Sequence, residues 1–347
     1  MSDDALDIEQ HDQLLAYLRA TNRIAATETP QMKSLAGGVS NRSVLVKRPN
    51  GEAWVLKQAL AKLRVKVDWF SDPARVHREA LGLRWLEKLA PAGTITPLVF
   101  EDEAHHLIAM QAVPEPHENW KTMLLRGELE TDHVRQFARL LAAIHRESSK
   151  LRDVLAEAFD DRTFFESLRV EPYYQFTASQ VPEASNFIEA LIGDTRATRI
   201  SIVHGDYSPK NVLVRDGRVV LLDHEVIHWG DPAFDIGFAL THLLSKAHHL
   251  PRHRRAFHRA AVDFWMHYSI ALGHVPWRAA LNGRSARHTL ACMLARVAGR
   301  SPLEYLDDTE RERQRSIIAR MIGEGCWSED VGMVIPQFLA SVEHVQN

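Results

Sequence analysis

The sequence predicts an α+β protein of two lobes, β-rich in its first third and helical afterwards. Three observations carry this. Apolar, β-branched runs separated by turn signals crowd the stretch from Met32 to Val113. Beyond Pro116, apolar residues recur at helical spacing. The chain has 347 residues, 45% hydrophobic and 25% charged, enough for two bodies that each bury a core. The predicted division is an N-terminal lobe over 1–110, a hinge over 111–116 and a helical C-terminal lobe over 117–347.

The elements follow in order. Leu6 to Ala20 places Leu14, Tyr17 and Leu18 on one helical face. Ser43–Lys47 and Ala53–Lys57 read as strands around the turn Pro49-Asn50-Gly51, so they form a hairpin. Pro73 to Ala90 is helical, with Ala80, Leu83, Leu86 and Leu89 on one side. Leu98–Phe100 and His106–Val113 form another antiparallel pair, closed by Pro114 and Pro116. Asp132 to His145 carries Val134, Phe137, Leu140, Leu141 and Ile144 at i, i+3, i+4 positions. Two short apolar strands, Ile200–Val203 and Arg218–Leu222, precede a helical pattern running from Asp235 almost to the end. No repeat or low-complexity tract interrupts it.

Composition removes several functions. A formal net charge of −3 gives no electrostatic support for binding nucleic acid. Cys292 and Cys326 make neither a disulfide framework nor a metal cluster, which fits a reducing cytoplasm. Met1 to Gln10 is acidic and polar, unlike a secretory leader. No apolar stretch approaches the roughly 18 residues of a membrane span. Neither nucleic acid nor a membrane is expected as a partner.

The chemistry concentrates between Ile202 and Val214. An apolar strand runs into His204-Gly205-Asp206, and Asn211 follows five residues after the aspartate. A second apolar strand ends at Asp223-His224-Glu225. The order matches the kinase pattern of a catalytic-loop aspartate and asparagine followed by an acidic metal-binding triplet. A hydroxyl attacking a γ-phosphate needs an ionised acceptor for its proton, and Asp206 supplies one. Magnesium prefers hard oxygen ligands, which Asn211, Asp223 and Glu225 provide.

At H-G-D-x-x-x-x-N plus D-x-E, and on through Gly230 to Gly237, the sequence resembles the aminoglycoside phosphotransferase and choline kinase-like superfamily. That family shares the protein-kinase fold. The resemblance implies an ATP- and Mg2+-dependent phosphotransferase with an alcohol group as acceptor. Asp206, Asn211 and Asp223 would be catalytic, with Asn211, Asp223 and Glu225 at the metal. Asp235 would brace the catalytic loop, and Asp231 would cap the helix after it. Lys57 would contact the α- and β-phosphates, paired with Glu79, although Glu87 lies on the same helix. Gly37, Gly38, Ser40 and Asn41 would form the phosphate-covering loop. Met110, Gln111 and Val113 would meet adenine at the hinge.

The acceptor side is more open. Asp206, His204, Arg296 and Arg300 are the candidate substrate residues, and the two arginines suit a neutral or anionic sugar or nucleoside. Val55–Leu60 and Leu63–Trp69 are similar to methylthioribose kinases, whereas Asn211 and Tyr207-Ser208-Pro209-Lys210 depart from them. A metabolic sugar kinase and an antibiotic-inactivating kinase both remain. Trp69, Trp120 and Trp229 could stack on a ring or pack in the core. Lys246 to Arg259 is rich in His and Arg and reads as a solvated basic face or as an anion-binding surface. His224-Glu225-Val226-Ile227-His228 also matches the H-E-x-x-H zinc signature, which requires a helix to bring the imidazoles together.

Overall fold

A computed structural model describes residues 6–35, 40–64 and 69–344 of the chain. Gly37 and Gly38 lie outside the described residues, as does 65–68 of the segment similar to methylthioribose kinases.

Turn chemistry sets the first sheet. At the predicted hairpin turn Gly51 takes φ +90°, and the Asn50 side chain accepts the Glu52 N–H at 3.0 Å. The turn joins β2 (Asn41–Lys47) to β3 (Ala53–Ala59), in a register that sets Ser43 opposite Lys57. Strands β1 (Gln31–Ser34), β4 (Leu98–Asp102) and β5 (Leu107–Gln111) complete an antiparallel sheet ordered β1-β2-β3-β5-β4. Alternate residues face opposite ways. Val44, Val46, Trp54 and Leu56 pack with Leu14, Tyr17 and Leu18 of helix α1 (His11–Ala20). Ile108 and Met110 face the main core with Val76, Ala80, Leu83 and Leu86 of helix α2 (Arg75–Leu89). The polar strand β1 has no apolar alternation and escapes a sequence reading.

After β5 come β6 (Glu118–Asn119), α3 (Trp120–Leu125), α4 (Thr131–Lys150), α5 (Arg152–Ala158) and α6 (Thr163–Phe165). Asn119 caps α3 by accepting the Lys121 N–H. A π-helix over Glu166–Gln175 then leads into α7 (Phe176–Gln180) and α8 (Ser185–Ala197). Pro172 lies inside that π-helix, where the helical spacing of apolar residues is lost. Short strands β7 (Ser201–Val203) and β10 (His228–Gly230) pair with each other, and β8 (Val212–Arg215) lies between β6 and β9 (Arg218–Leu221). Helices α9 (Ala233–His249), α10 (Arg254–Leu272), α11 (Leu281–Ala298), α12 (Asp308–Gly323) and α13 (Val331–His344) follow.

Helix α9 is buried on every side from Ala233 to His248 and packs against α10 and α11. Gly237 lets α11 come close, since a Cβ there would sit 2.6 Å from the His288 backbone. Trp120 and Trp229 belong to the core, and Trp69 packs with Leu63, Leu168 and Val226. The connection between α2 and β4 meets β9 through a parallel bridge between Ile95 and Leu221. The result is the expected two-lobed α+β architecture of the protein-kinase type. No helix among the described residues is long and apolar enough to cross a membrane.

Candidate active site

The loop after β7 turns sharply at Gly205, with φ +77° and no room for a Cβ, which would lie 2.8 Å from Val226 Cγ2. Asp235, in the first turn of α9, braces it from beneath. Its carboxylate accepts the N–H of His204 at 2.7 Å and of Gly205 at 2.8 Å. The imidazole of His145 lies 3.2 Å from the same carboxylate and 2.9 Å from the Tyr268 hydroxyl. With Tyr268 against Nδ1, Nε2 is the ring nitrogen placed to donate to Asp235. Burial would push the Asp235 carboxyl up, but the hydrogen bond and charge of His145 outweigh it and hold it below the ordinary range.

Asp206 stands at the top of this loop. Asn211 donates from Nδ2 to the Asp206 backbone carbonyl at 3.0 Å and to Oδ2 at 2.7 Å. Arg169, from the π-helix, reaches Oδ2 at 3.1 Å and the Gly205 carbonyl at 2.7 Å. Both contacts fall on Oδ2, so Oδ1 stays free of hydrogen bonds among the described residues. His204 is buried: its Nδ1 accepts the Asp206 N–H at 3.2 Å, and burial holds the ring neutral.

A second cluster faces this one. Lys57 Nζ lies 2.7 Å from Glu79 and 3.2 Å from Asp223, which itself takes the left-handed φ of +66°. Glu79, rather than Glu87, is the partner. Burial alone would pull the Lys57 ammonium down, but Asp223 and Glu79 hold it well above the ordinary lysine range. Burial pushes Glu79 up and Lys57 only partly opposes it; for the less enclosed Asp223, Lys57 wins and the carboxyl is held down. The shared ammonium therefore holds the Asp223 carboxyl down, while burial holds those of Glu79 and Glu225 up.

Glu225 is tied into the site by residues of the first sheet and α2. Its Oε2 accepts from Arg75 Nε at 3.2 Å and from Asn41 Nδ2 at 3.3 Å. Arg75 is fully buried and also donates to the carbonyls of Ser40, Leu60, Ser71 and Asp72. Ser40 and Asn41 are thereby fixed beside Glu225, and Asn41 Oδ1 is buried without a partner. The H-E-x-x-H residues do not form a helix. His224 and Glu225 lie in a turn and His228 in β10, stacked on Phe165 at 4.0 Å. Among the described residues no group of three His, Cys, Asp or Glu side chains could hold a metal ion.

Asn211 and Asp223 could instead supply hard oxygens of mixed type. Asn211 commits its amide nitrogen to Asp206, which leaves its carbonyl oxygen unused, and Asp223 has a carboxylate oxygen beyond the one facing Lys57. One carboxylate and one amide oxygen fit Mg2+, which fills its remaining positions with phosphate and water. At the end of β5 Met110 is buried, the Gln111 N–H is taken by the Pro97 carbonyl, and the Ala112 N–H by Ala53. Neither backbone group of Val113 enters a backbone hydrogen bond among the described residues.

The phosphotransferase enzyme family (APH) matches residues 31–265 of this chain. The chain belongs to that family. Among curated proteins it is 26% identical over 215 residues to the methylthioribose kinase of Yersinia enterocolitica, covering 55% of this chain and 53% of that one. It thus spans about half the length of the curated relatives it matches. Two solved structures share the fold. A choline/ethanolamine kinase family protein from Mesorhizobium loti aligns with TM-score 0.56 at 15% identity, over 96% of this chain and 99% of that one. The amicoumacin kinase hAmiN, in complex with AMP-PNP, Ca2+ and amicoumacin, aligns with TM-score 0.54 at 11% identity, over 91% and 97%.

In this member of the APH family the two late arginines part company. Arg296 is buried, and its Nη1 donates to the Tyr173 hydroxyl at 3.1 Å and to Ser301 Oγ at 2.9 Å. Tyr173 lies between two guanidiniums, Arg169 at 5.5 Å and Arg296 at 5.4 Å, so Arg296 joins the Asp206 side of the site. Arg300 pairs with Glu171 at 2.9 Å and covers Phe176. The segment 246–259 is no uniform solvated face, because Lys246 and His248 are buried and His249 pairs with Glu310. Arg75 and Arg169 are the site residues that sequence reasoning missed. Neither belongs to a motif, and Arg169 lies in a stretch whose periodicity gave no element.

Proposed function

We propose that this protein transfers the γ-phosphoryl group of ATP to a hydroxyl of a small molecule. The observation that carries the reading is Asp206: Asn211 and Arg169 hold one carboxylate oxygen and leave the other for an acceptor. The acceptor hydroxyl gives its proton to Asp206 Oδ1 as its oxygen bonds to the γ-phosphorus, and the bond to the β–γ bridging oxygen breaks to release ADP. Lys57, held in place by Glu79, steadies the α- and β-phosphates, with Ser40 and Asn41, fixed by Arg75 and Glu225, contributing to their binding. Met110, Gln111 and Val113 face adenine, with the free Val113 backbone groups as its partners. Asn211 and Asp223 would hold Mg2+, with Glu225 two residues beyond Asp223, and the ion would supply positive charge against the phosphates. Arg169, paired with Asp206 Oδ2 at 3.1 Å and bonded to the Gly205 carbonyl, fixes the carboxylate so that Oδ1 is left for the acceptor.

For the acceptor, the likeness to methylthioribose kinases and the basic side chains around Tyr173 favour a neutral or anionic metabolite over a polycationic antibiotic. The test is ADP release with Mg·ATP and single acceptors: methylthioribose, ethanolamine, choline, kanamycin and a macrolide. We expect release that depends on a sugar-like acceptor and a phosphate ester seen by 31P NMR. ATP hydrolysis indifferent to every acceptor, with no ester formed, would count against the proposal.

A further inference from the structure

Beyond Tyr173, cations with few counter-charges gather next to the site. Lys246 of α9 is wholly buried; its ammonium donates to the His242 carbonyl at 3.2 Å and lies 4.9 Å from the Tyr305 ring centre. It makes no ion pair among the described residues. Arg296 of α11 spends Nη1 on Tyr173 and Ser301, while its Nε is buried without a partner. His242, 6% exposed, has an unpartnered Nε2, and the Tyr305 hydroxyl is also buried and unpartnered. Lys121, Lys210, Lys246 and Arg296 all act electrostatically on the His242 ring and, together with burial, hold it neutral. Glu304 is the carboxylate felt at Lys246, and it is largely exposed and paired with Lys121.

This cluster adjoins Asp206 through two continuous paths. One runs from Asp206 to Arg169 at 3.1 Å, from Arg169 to the Tyr173 ring, and on to Arg296. In the other, Asn119, which caps α3, donates to the Lys210 carbonyl at 2.6 Å, so Lys121 is tied to the loop that carries Asp206 and Asn211. Buried like charges with unpaired polar atoms are costly, and an anion placed among them would relieve that cost.

We propose that this cluster receives an anionic group, carboxylate or phosphate, at the end of the acceptor remote from the reacting hydroxyl. Lys121, Lys210 and Arg296 make the contacts, and Lys246 and His242 stand behind them. The inference deepens the kinase reading and rests on it.

The experiment is isothermal titration of protein saturated with Mg·AMP-PNP, using D-glycerate, glycerol 3-phosphate and glycerol as probes. Nucleotide occupancy keeps the anions out of the ATP phosphate site. Either anion should bind at least about tenfold more tightly than glycerol, and the better of the two identifies the group. Lys121→Met, at a partly exposed position, and Arg296→Met should each lose about tenfold of that affinity while Mg·AMP-PNP affinity and thermal midpoint are kept in the Lys121 variant. Equal binding of glycerol and the anions, no binding of any probe, or unchanged anion affinity in Lys121→Met would overturn the subsite. Loss of Mg·AMP-PNP binding in the wild-type protein would instead strike the kinase reading, which separates the two failures.

Discussion

Lys246 carries a cost that can be measured directly. Burial, then the like charge of Lys121, pushes its ammonium down to about 7 from the ordinary 10.5. Between those values the unfolded chain binds a proton that the folded chain does not, so this group makes stability rise with pH across that window. Its cost is greatest below pH 7. Lys246→Met should therefore stabilise the protein by about 1–4 kcal/mol in denaturant unfolding below pH 7, with the gain shrinking as pH climbs toward 10.5. A gain that is constant with pH would refute it. Arg169 gives a second prediction: Arg169→Met releases Asp206 Oδ2 from its fixed orientation and should lower kcat by about 10²-fold with nucleotide affinity kept. The two residues also show where reading by motif stops. Asp206, Asn211, Asp223 and Lys57 were legible because their chemistry fixes their spacing along the chain. Arg169 and Arg75 reach the site across the fold, and no local pattern announces a contact made 36 or 150 residues away.

Helix α9 connects packing to the site, because Asp235 in its first turn holds the loop before Asp206. Gly237 lies half a turn further on, against α11. Gly237→Ala would set a Cβ 2.6 Å from the His288 backbone, so the helices must part, at a cost of about 1–3 kcal/mol. Because Asp235 moves with α9, kcat should fall as well. A Cβ added at Gly193 of α8 would meet nothing within 4 Å, and Gly193→Ala should stabilise by about 0.5–1 kcal/mol without touching kcat. Thermal melts with steady-state kinetics on both variants check the pair; equal behaviour would contradict it. Elements with a single clear period, such as α4 and the β2–β3 hairpin, were legible in the sequence. The π-helix was not, since Pro172 and a changed turn length blur the helical period, and β8 was lost inside the motif that precedes it. The H-E-x-x-H string shows the reverse case: the letters of a helix motif, in a turn and a strand.

Two bodies of structure close around one site. The first sheet and α2 bring Lys57, Glu79, Arg75 and Asn41; the helical body brings Asp206, Asn211, Asp223 and Glu225. The α+β division was legible because the chain changes texture near Pro116, whereas the ion pairs that cross between the bodies were visible only as candidate partners. The central claim is that Asp206 handles the acceptor and Asp223 the metal-bound nucleotide. It is tested by measuring kcat and Mg·AMP-PNP affinity in Asp206→Asn and Asp223→Asn side by side. Asp206→Asn should lose about 10²–10⁴ of kcat and keep its nucleotide affinity, while Asp223→Asn should lose the affinity itself. Turnover retained in Asp206→Asn would contradict it.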